Sequence, residues 1–443
     1  MHIAFSLTEP GSWVSWCPPA PQSTTHSYYH ALTINKSMSV EDTVRYSVER
    51  LKPNLIRLLQ DLIREKSVNP PGDVTGVAKV LEAELTSIGM RTSLHAAAPG
   101  MVNLQAILAG ASEKPRFLLN GHTDVVSEGE LSNWTVNPFE GVVRGDLIFG
   151  RGAADMKGGL AAITIALRAL AESDVTLNGK VVFHAVADEE VDSINGTMYM
   201  IKHGLANADM GIVAEGSTFG GRIAIRHATR GNCWLKLKTY GKAAHASNPK
   251  NGINAVLSMS KLLLALQSTQ LEYKPHKVLP PPTISPGTVI RGGTKTNVIP
   301  EQCEAEVDAR LVPGMNQESV VSIFNEVINT LKEEDPQFSA SVEVFAYSPP
   351  AEINEASPVL TAAKQATLEV VGYEPQLAAG YGTTDGACLV NAGVPVICGF
   401  GPGDHKTSNE HGADENVNVT DLVNFAKIYA LTLMHSLGYE KKK

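Results

Sequence analysis

Apolar positions recur at helical spacing from Met38 to about Lys66, where "SVNPPG" (67 to 72) breaks the pattern. The segment "MSVEDTVRYSVERL" opens like an ordinary helix, with Ser39 in a capping position. A second helix is expected from roughly Val74 to Gly89, followed by a strand in "MVNLQAIL". Strands and helices then alternate. "RFLLNGHTDVV" reads as a strand leaving into a loop, "GGLAAITIALRALAES" as a helix, "KVVFHAVADEE" as a strand and "MGIVAEGS" as another short strand. This alternation predicts an α/β fold with a mostly parallel sheet flanked by helices. Sites in that architecture lie just beyond the C-terminal ends of strands.

Between about Ile225 and Tyr347 the texture changes. Strand-like "CWLKLKTYG", a helix from Gly252 to Gln267, the proline-rich "VLPPPTISPGTV", strand-like "EQCEAEVDARLVP" and the helix "ESVVSIFNEVINTLKEE" read as two strands, a helix, two strands and a helix. That is an inserted α+β sandwich. Afterwards "SPVLTAAKQATLEVVG" (helix), "VPVICGF" (strand) and a closing helix from Asp421 to about Ser436 complete the first unit. The expected division is a tail over 1–37, a first unit made of 38–225 and 347–443, and an insertion over 226–346.

At 443 residues the chain exceeds one ordinary core and should form about two or three compact units. A hydrophobic share of 43% against a charged share of 19% is that of a soluble globular protein. The net charge of -9 argues against nucleic acid, whose phosphates need clustered Lys and Arg. Cys17, Cys233, Cys303, Cys388 and Cys398 are odd in number and form no C-x-x-C, which points to a reducing, cytoplasmic setting without a disulfide framework. No apolar run approaches a membrane span. Residues 1–37 lack the basic start and apolar run of a secretory signal and read as a disordered tail or an overlong start.

Candidate chemistry gathers where apolar strands end. In "GHTDVV", His122 and Asp124 stand two apart, so both point the same way along an extended chain, and the carboxylate can fix the tautomer of a metal-binding imidazole. "GRGAADMKGG" sets Asp155 among glycines ahead of a helix, where it can cap the helix or bridge two cations. "ADEE" ends a strand in three acids. If Glu190 ligates a metal, Glu189 beside it can stay unligated and take a proton from the attacking water. Glu215 ends the strand "IVAE", and His411 lies in the polar loop "NEHGADEN", with His405 six residues away as its competitor. Spacing does not choose between these two histidines. Strand ends in a parallel sheet fall along one edge, so these residues would supply two nitrogen and three oxygen ligands, a set suited to two divalent ions and to hydrolysis.

The motifs "GHTDVV", "GRGAADMKGGLAA", "DEE", "AEGS", "GKAAHAS", "NVIPEQCEAEVDARLVP", "GTTDG" and "GPG…HGADE" together resemble the two-zinc aminoacylase and carboxypeptidase superfamily, and within it the acetylornithine deacetylase and succinyl-diaminopimelate desuccinylase branch. The likeness runs in order over about residues 45 to 438. It implies one zinc on His122, Asp155 and Glu215 and another on Asp155, Glu190 and His411, with Asp124 orienting His122 and Glu189 as general base. His411, not His405, heads the family's H-x-x-D-E pattern. His245 matches a histidine that stabilises the oxyanion, often in the partner subunit's site. Asn297 and Arg310 resemble substrate-contacting positions, and Thr384 with the glycines of "GFGPG", Gly401 among them, would line the pocket. The resemblance further implies a homodimer, the insertion serving as lid and dimerisation domain, and an N-acyl amino acid or short peptide as substrate, with cobalt or manganese as alternatives to zinc.

Two rivals remain at this level. A carboxypeptidase or dipeptidase would keep the site and change the substrate. A non-catalytic metal-binding or assembly protein would be expected to lack the base, and Glu189 is present. Neither a G-x-S-x-G elbow nor a G-x-x-x-x-G-K-[ST] loop occurs, and "GFGPG" leads into polar "DHKTSNEH" rather than an apolar helix.

Overall fold

The computed structural model describes residues 38–380 and 382–442. The chain divides into two units, Met1–Ser39 and Val40–Lys443, and every element below belongs to the second. The expectation for residues 1–37 lies outside the described residues.

The large sheet has six strands in the order Arg91–Ala98, Met101–Leu108, Lys180–Val186, Arg116–His122, Met210–Val213 and Val396–Ile397. The last four are mutually parallel, and Met101–Leu108 runs antiparallel to its neighbours on both sides. Each parallel strand is apolar on both faces because helices cover both. Phe117, Leu119, Val181, Phe183 and Ile212 pack with helices Lys52–Arg64, Lys157–Glu172 and Val419–Leu437, whereas Leu118, Val182 and Val213 pack with Met200 and Leu389 on the opposite side.

The expected single helix from Met38 to Lys66 is two helices, Val40–Arg50 and Lys52–Arg64, because Pro53 starts the second and removes a backbone donor that an unbroken helix would use. The edge strand Arg91–Ala98 escaped the sequence because its exposed positions carry little apolar signal. A second sheet was also unforeseen. It joins Ala351–Glu352, Arg222–Thr229, Gly216–Phe219 and Gly401–Asp404, with Gln376–Gly380 also pairing to Arg222–Thr229.

Residues 231–348 build an antiparallel sheet in the order Thr283–Gly292, Gln302–Leu311, Gly231–Tyr240, Ser339–Ser348. Helices Ala255–Ser268 and Gln317–Glu334 cover one face around Leu235, Leu237, Val307, Leu262 and Phe324. One long strand precedes the first helix and another follows the second, so the order differs from the expected two strands, helix, two strands, helix. The alternating "SVEVFAY" forms the closing strand. No helix among the described residues is long and apolar enough to cross a membrane.

Candidate metal centre

Strand Arg116–His122 lies between Lys180–Val186 and Met210–Val213, both parallel to it. In a sheet of this kind the place for a site is beyond the C-terminal ends of such central strands. His122 is the last residue of this one. The flanking strands run out into Asp188, Glu189 and Glu190 on one side and Glu215 on the other. Asp155 is brought in by the turn before helix Lys157–Glu172, whose glycines let it press onto the sheet. A Cβ at Gly159 would stand 2.3 Å from the carbonyl oxygen of Ala214.

Nε2 of His122 is 3.0 Å from Asp155 Oδ1, 3.3 Å from Glu215 Oε1 and 4.0 Å from Glu189 Oε2. The second oxygen of Asp155, Oδ2, is 3.0 Å from Nε2 of His411, which is also 3.2 Å from Glu190 Oε2. Donor atoms of His122, Asp155 and Glu190 lie within 4.8 Å of one another, as do those of His122, Glu189 and Glu215. The structure therefore gathers His122, Asp155, Glu189, Glu190, Glu215 and His411 from five separate segments. Of the two competing histidines, His411 joins this cluster, while His405 turns both ring nitrogens elsewhere.

Four carboxylates facing two imidazoles is a heavy excess of buried negative charge. Its electrostatics show in each group. Burial opposes a charge on His122, but Asp124, Asp155 and Glu215 outweigh it and hold the imidazole well above its ordinary range. Asp155 and Glu190 push His411 up to about 11. Burial raises Glu189 well above the usual carboxylate range, and the charges of Glu215, Asp385 and Glu190 add to the effect. Glu190 is raised by burial and by Asp155, and its Oε1 is buried with no hydrogen-bond partner. A site with surplus carboxylates, an orphaned buried oxygen and one carboxylate presenting an oxygen to each side fits two divalent cations.

Asp124 holds His122 differently from the expectation. Nδ1 of His122 is 2.9 Å from the Asp124 carbonyl, while the carboxylate oxygen Oδ1 stands 3.6 Å away. That carboxylate instead accepts the backbone N–H groups of Glu189 and Glu190, both at 3.2 Å, and the amide of Asn69 at 2.9 Å. One residue thus fixes the imidazole through its backbone and the two glutamates through its side chain.

The remaining candidates make no hydrogen bond or ion pair to this cluster among the described residues. His245 is exposed, and its Nδ1 accepts from the Ser247 hydroxyl at 2.7 Å. Asn297 lies beside it, its carbonyl accepting from Ala246 N. Arg310 pairs with Asp308 at 3.0 Å on the same strand. Thr384 caps helix Asp385–Asn391 and donates to the Cys398 carbonyl. Gly401 packs so close that a Cβ would stand 2.1 Å from the Ala214 carbonyl, which puts it behind Glu215.

Sequence reasoning missed three supports. Asp188, the first acid of the triplet, accepts from Asn69 and from the backbone and side-chain amides of Asn195, and so serves to hold the loop. Asn69 ties Asp124 to Asp188, and nothing in "SVNPPG" signals it. Glu415 is the last letter of H-x-x-D-E, a pattern that selects His411 without saying what its final acid holds. It accepts from the backbone N–H groups of Gly152, Ala154 and Asp155.

The pattern that defines peptidase family M20/M25/M40 matches residues 118–435. The chain is 29% identical over 415 residues to N-formyl-4-amino-5-aminomethyl-2-methylpyrimidine deformylase of Halalkalibacterium halodurans, covering 88% of this chain and 96% of the relative. It is 30% identical over 384 residues to succinyl-diaminopimelate desuccinylase of Psychromonas ingrahamii, covering 86% and 97%. Among solved structures, the dinuclear metal-binding peptidase YXEP of Bacillus subtilis superposes with a TM-score of 0.67 at 17% identity, over 88% of this chain and 99% of that one.

Proposed function

The chain belongs to peptidase family M20/M25/M40, and from that premise we propose that it is a metal-dependent amidohydrolase, removing an acyl group from an N-acyl amino acid or related amide. The relatives named as deformylase and desuccinylase cut linear amides outside peptides, which supports this reaction class. The observation that carries the reading is Asp155, with Oδ1 facing His122 and Oδ2 facing His411.

His122, Asp155 and Glu215 would hold one cation and Asp155, Glu190 and His411 the other, with zinc as the resident metal and cobalt or manganese admitted by the same donors. Two such ions supply charge that polarises an amide carbonyl and brings the pKa of water toward about 7. Glu189 lies 4.0 Å from the His122 nitrogen, and its raised proton affinity suits a group that takes a proton from the attacking water and passes it to the leaving amine. Asp124 orients His122 and the two glutamates. His245, supplied by the partner subunit of a homodimer, donates to the tetrahedral oxyanion. The insertion, residues 226–346, acts as lid and dimerisation domain. Asn297 and Arg310 receive the substrate, Arg310 offering a planar fork to a carboxylate, and Thr384 and Gly401 back the pocket. A cytoplasmic location is supported by Cys233, Cys303, Cys388 and Cys398, all unpaired, and the acidic balance supports a small-molecule partner rather than nucleic acid.

Peptide cleavage as a carboxypeptidase or dipeptidase is the second reading, favoured by the shared fold of the Bacillus subtilis peptidase. Purified protein loaded with zinc or cobalt should hydrolyse N-acyl amino acids faster than dipeptides, and the reverse ranking selects the second reading. Glu189→Ala should abolish turnover while both cations remain bound. Loss of cations and turnover together refutes the division of labour.

A further inference from the structure

We propose that His405 is a positioning residue, a clasp that locks the two halves of the metal centre to each other. This rests on the two-cation reading above. The loop carrying His411 and the strand carrying Glu215 belong to distant parts of the sequence, and each contributes to a different side of Asp155.

His405 joins them one residue away from each ligand. Its Nε2 is 3.0 Å from the carbonyl oxygen of Gly216, the residue after Glu215. Its Nδ1 is 2.8 Å from Oε2 of Glu410, the residue before His411. The ring thus spans the two segments, with one nitrogen at hydrogen-bonding distance from each. The Gly216 carbonyl receives a second donor at 3.0 Å from Nη1 of Arg226, a buried guanidinium with no carboxylate within ion-pair distance among the described residues. Two side chains, His405 and Arg226, therefore meet one peptide unit beside Glu215.

The ring itself is held still. Phe219 packs against it with the rings tilted by 38° and 4.7 Å between centroids, the His405 backbone N–H donates to the Thr218 carbonyl at 3.0 Å, and Asp404 accepts the N–H groups of Gly220 and Gly221. Gly216 lacks a side chain where one would intrude, since a Cβ there would stand 2.8 Å from Oε1 of Glu410. These contacts make the distance between Glu215 and His411 a property of the folded chain before any cation arrives, so the second ion meets donors already placed. Removing His405 frees the His411 loop to drift from Asp155 and Glu190, and the ion bound by His411 should suffer first.

The test is calorimetric titration of the metal-free protein with zinc, comparing wild type with His405→Ala, His405→Gln, Glu410→Ala and Glu410→Gln, with the thermal unfolding of each metal-free variant measured alongside. Wild type should bind two ions. His405→Ala should keep one near wild-type affinity and weaken the other by about 10–100-fold, the usual loss when a supporting partner is removed. Glu410→Gln, which keeps an accepting oxygen, should recover most of what Glu410→Ala loses, and His405→Gln, which keeps one donor, should fall between. The His405→Ala and Glu410→Ala losses should be less than additive in the double variant. Two ions binding His405→Ala within threefold of wild type overturns the clasp. So does a parallel loss of both ions with a lowered unfolding temperature, which marks a general structural role. Failure of wild type to bind two ions overturns the two-cation reading itself, and the clasp with it.

Discussion

Glu415 and Arg151 form an ion pair at 2.6 Å with side chains 0% and 1% exposed. The other contacts of that carboxylate are the backbone N–H groups at 152, 154 and 155, so a wholly buried carboxylate, pushed up to about 7 by that burial against the pull of Arg151, holds the turn that delivers Asp155. Removing one partner strands the other in the interior, a change that typically costs about 3–5 kcal/mol. Glu415→Gln keeps the shape and removes the charge. Chemical denaturation should show a loss of that size, and elemental analysis should show fewer ions per chain. A loss below about 1 kcal/mol, the worth of an exposed pair, contradicts the assignment.

The cation-free centre is proton-loaded. Asp155 and Glu190 hold His411 up to about 11, and His122 is held well above its ordinary value. Because the folded value of His411 exceeds the unfolded one, its proton stabilises the empty protein below the unfolded value, and that stability is lost as pH climbs through about 11. At neutral pH each of the two cations must displace the proton of its own histidine, so filling both sites should release about two protons per chain and tighten as pH rises. Zinc titrations at pH 7 in two buffers of different ionisation heat will measure the release. Identical heats in both buffers refute it.

Legibility in the sequence followed the physics of each element. His122, Glu190 and Glu215 were readable because polar residues ending apolar strands stand out against a doubly covered sheet. Asp155 and His411 sit in irregular loops, where spacing leaves a helix cap or His405 equally open and only the resemblance to a family chooses. Period-two spacing sets Asp124 beside His122, but whether its carbonyl or its carboxylate meets Nδ1 depends on backbone course, which that spacing does not specify. Glu415 and Asn69 work through backbone amides from distant segments, and no local pattern encodes such a partnership. The second sheet was missed for a related reason, since Gly216–Phe219 and Gly401–Asp404 are four-residue strands built largely of glycine, serine and proline.

Cations should act as thermal stabilisers. The unfolded chain scatters the five donor segments, so ions bind the folded state alone and add about 2.7 kcal/mol at a hundredfold excess over Kd. Metal-free protein should therefore unfold at a lower temperature than protein with zinc, cobalt or manganese, and calcium should do less at a centre with two imidazoles. Fluorescence-monitored melts across these four ions check this. Equal midpoints with and without every ion refute it.

Gly159→Ala sets two effects of opposite sign against each other. Within a helix, alanine is favoured over glycine by about 1 kcal/mol. Here the added Cβ would stand 2.3 Å from the Ala214 carbonyl, and that oxygen belongs to the backbone that leads into Glu215. A rigid neighbour gives way only by moving, and overpacking of this kind costs about 1–3 kcal/mol. The clash should win, because both contacting segments are anchored, the helix by its buried faces and the strand by the sheet. The expected result is a net loss of stability in denaturant together with weaker zinc binding in calorimetry, as Glu215 shifts away from His122. A variant as stable as wild type with unchanged zinc affinity would show that the helix start and the strand end are free to part without disturbing the centre.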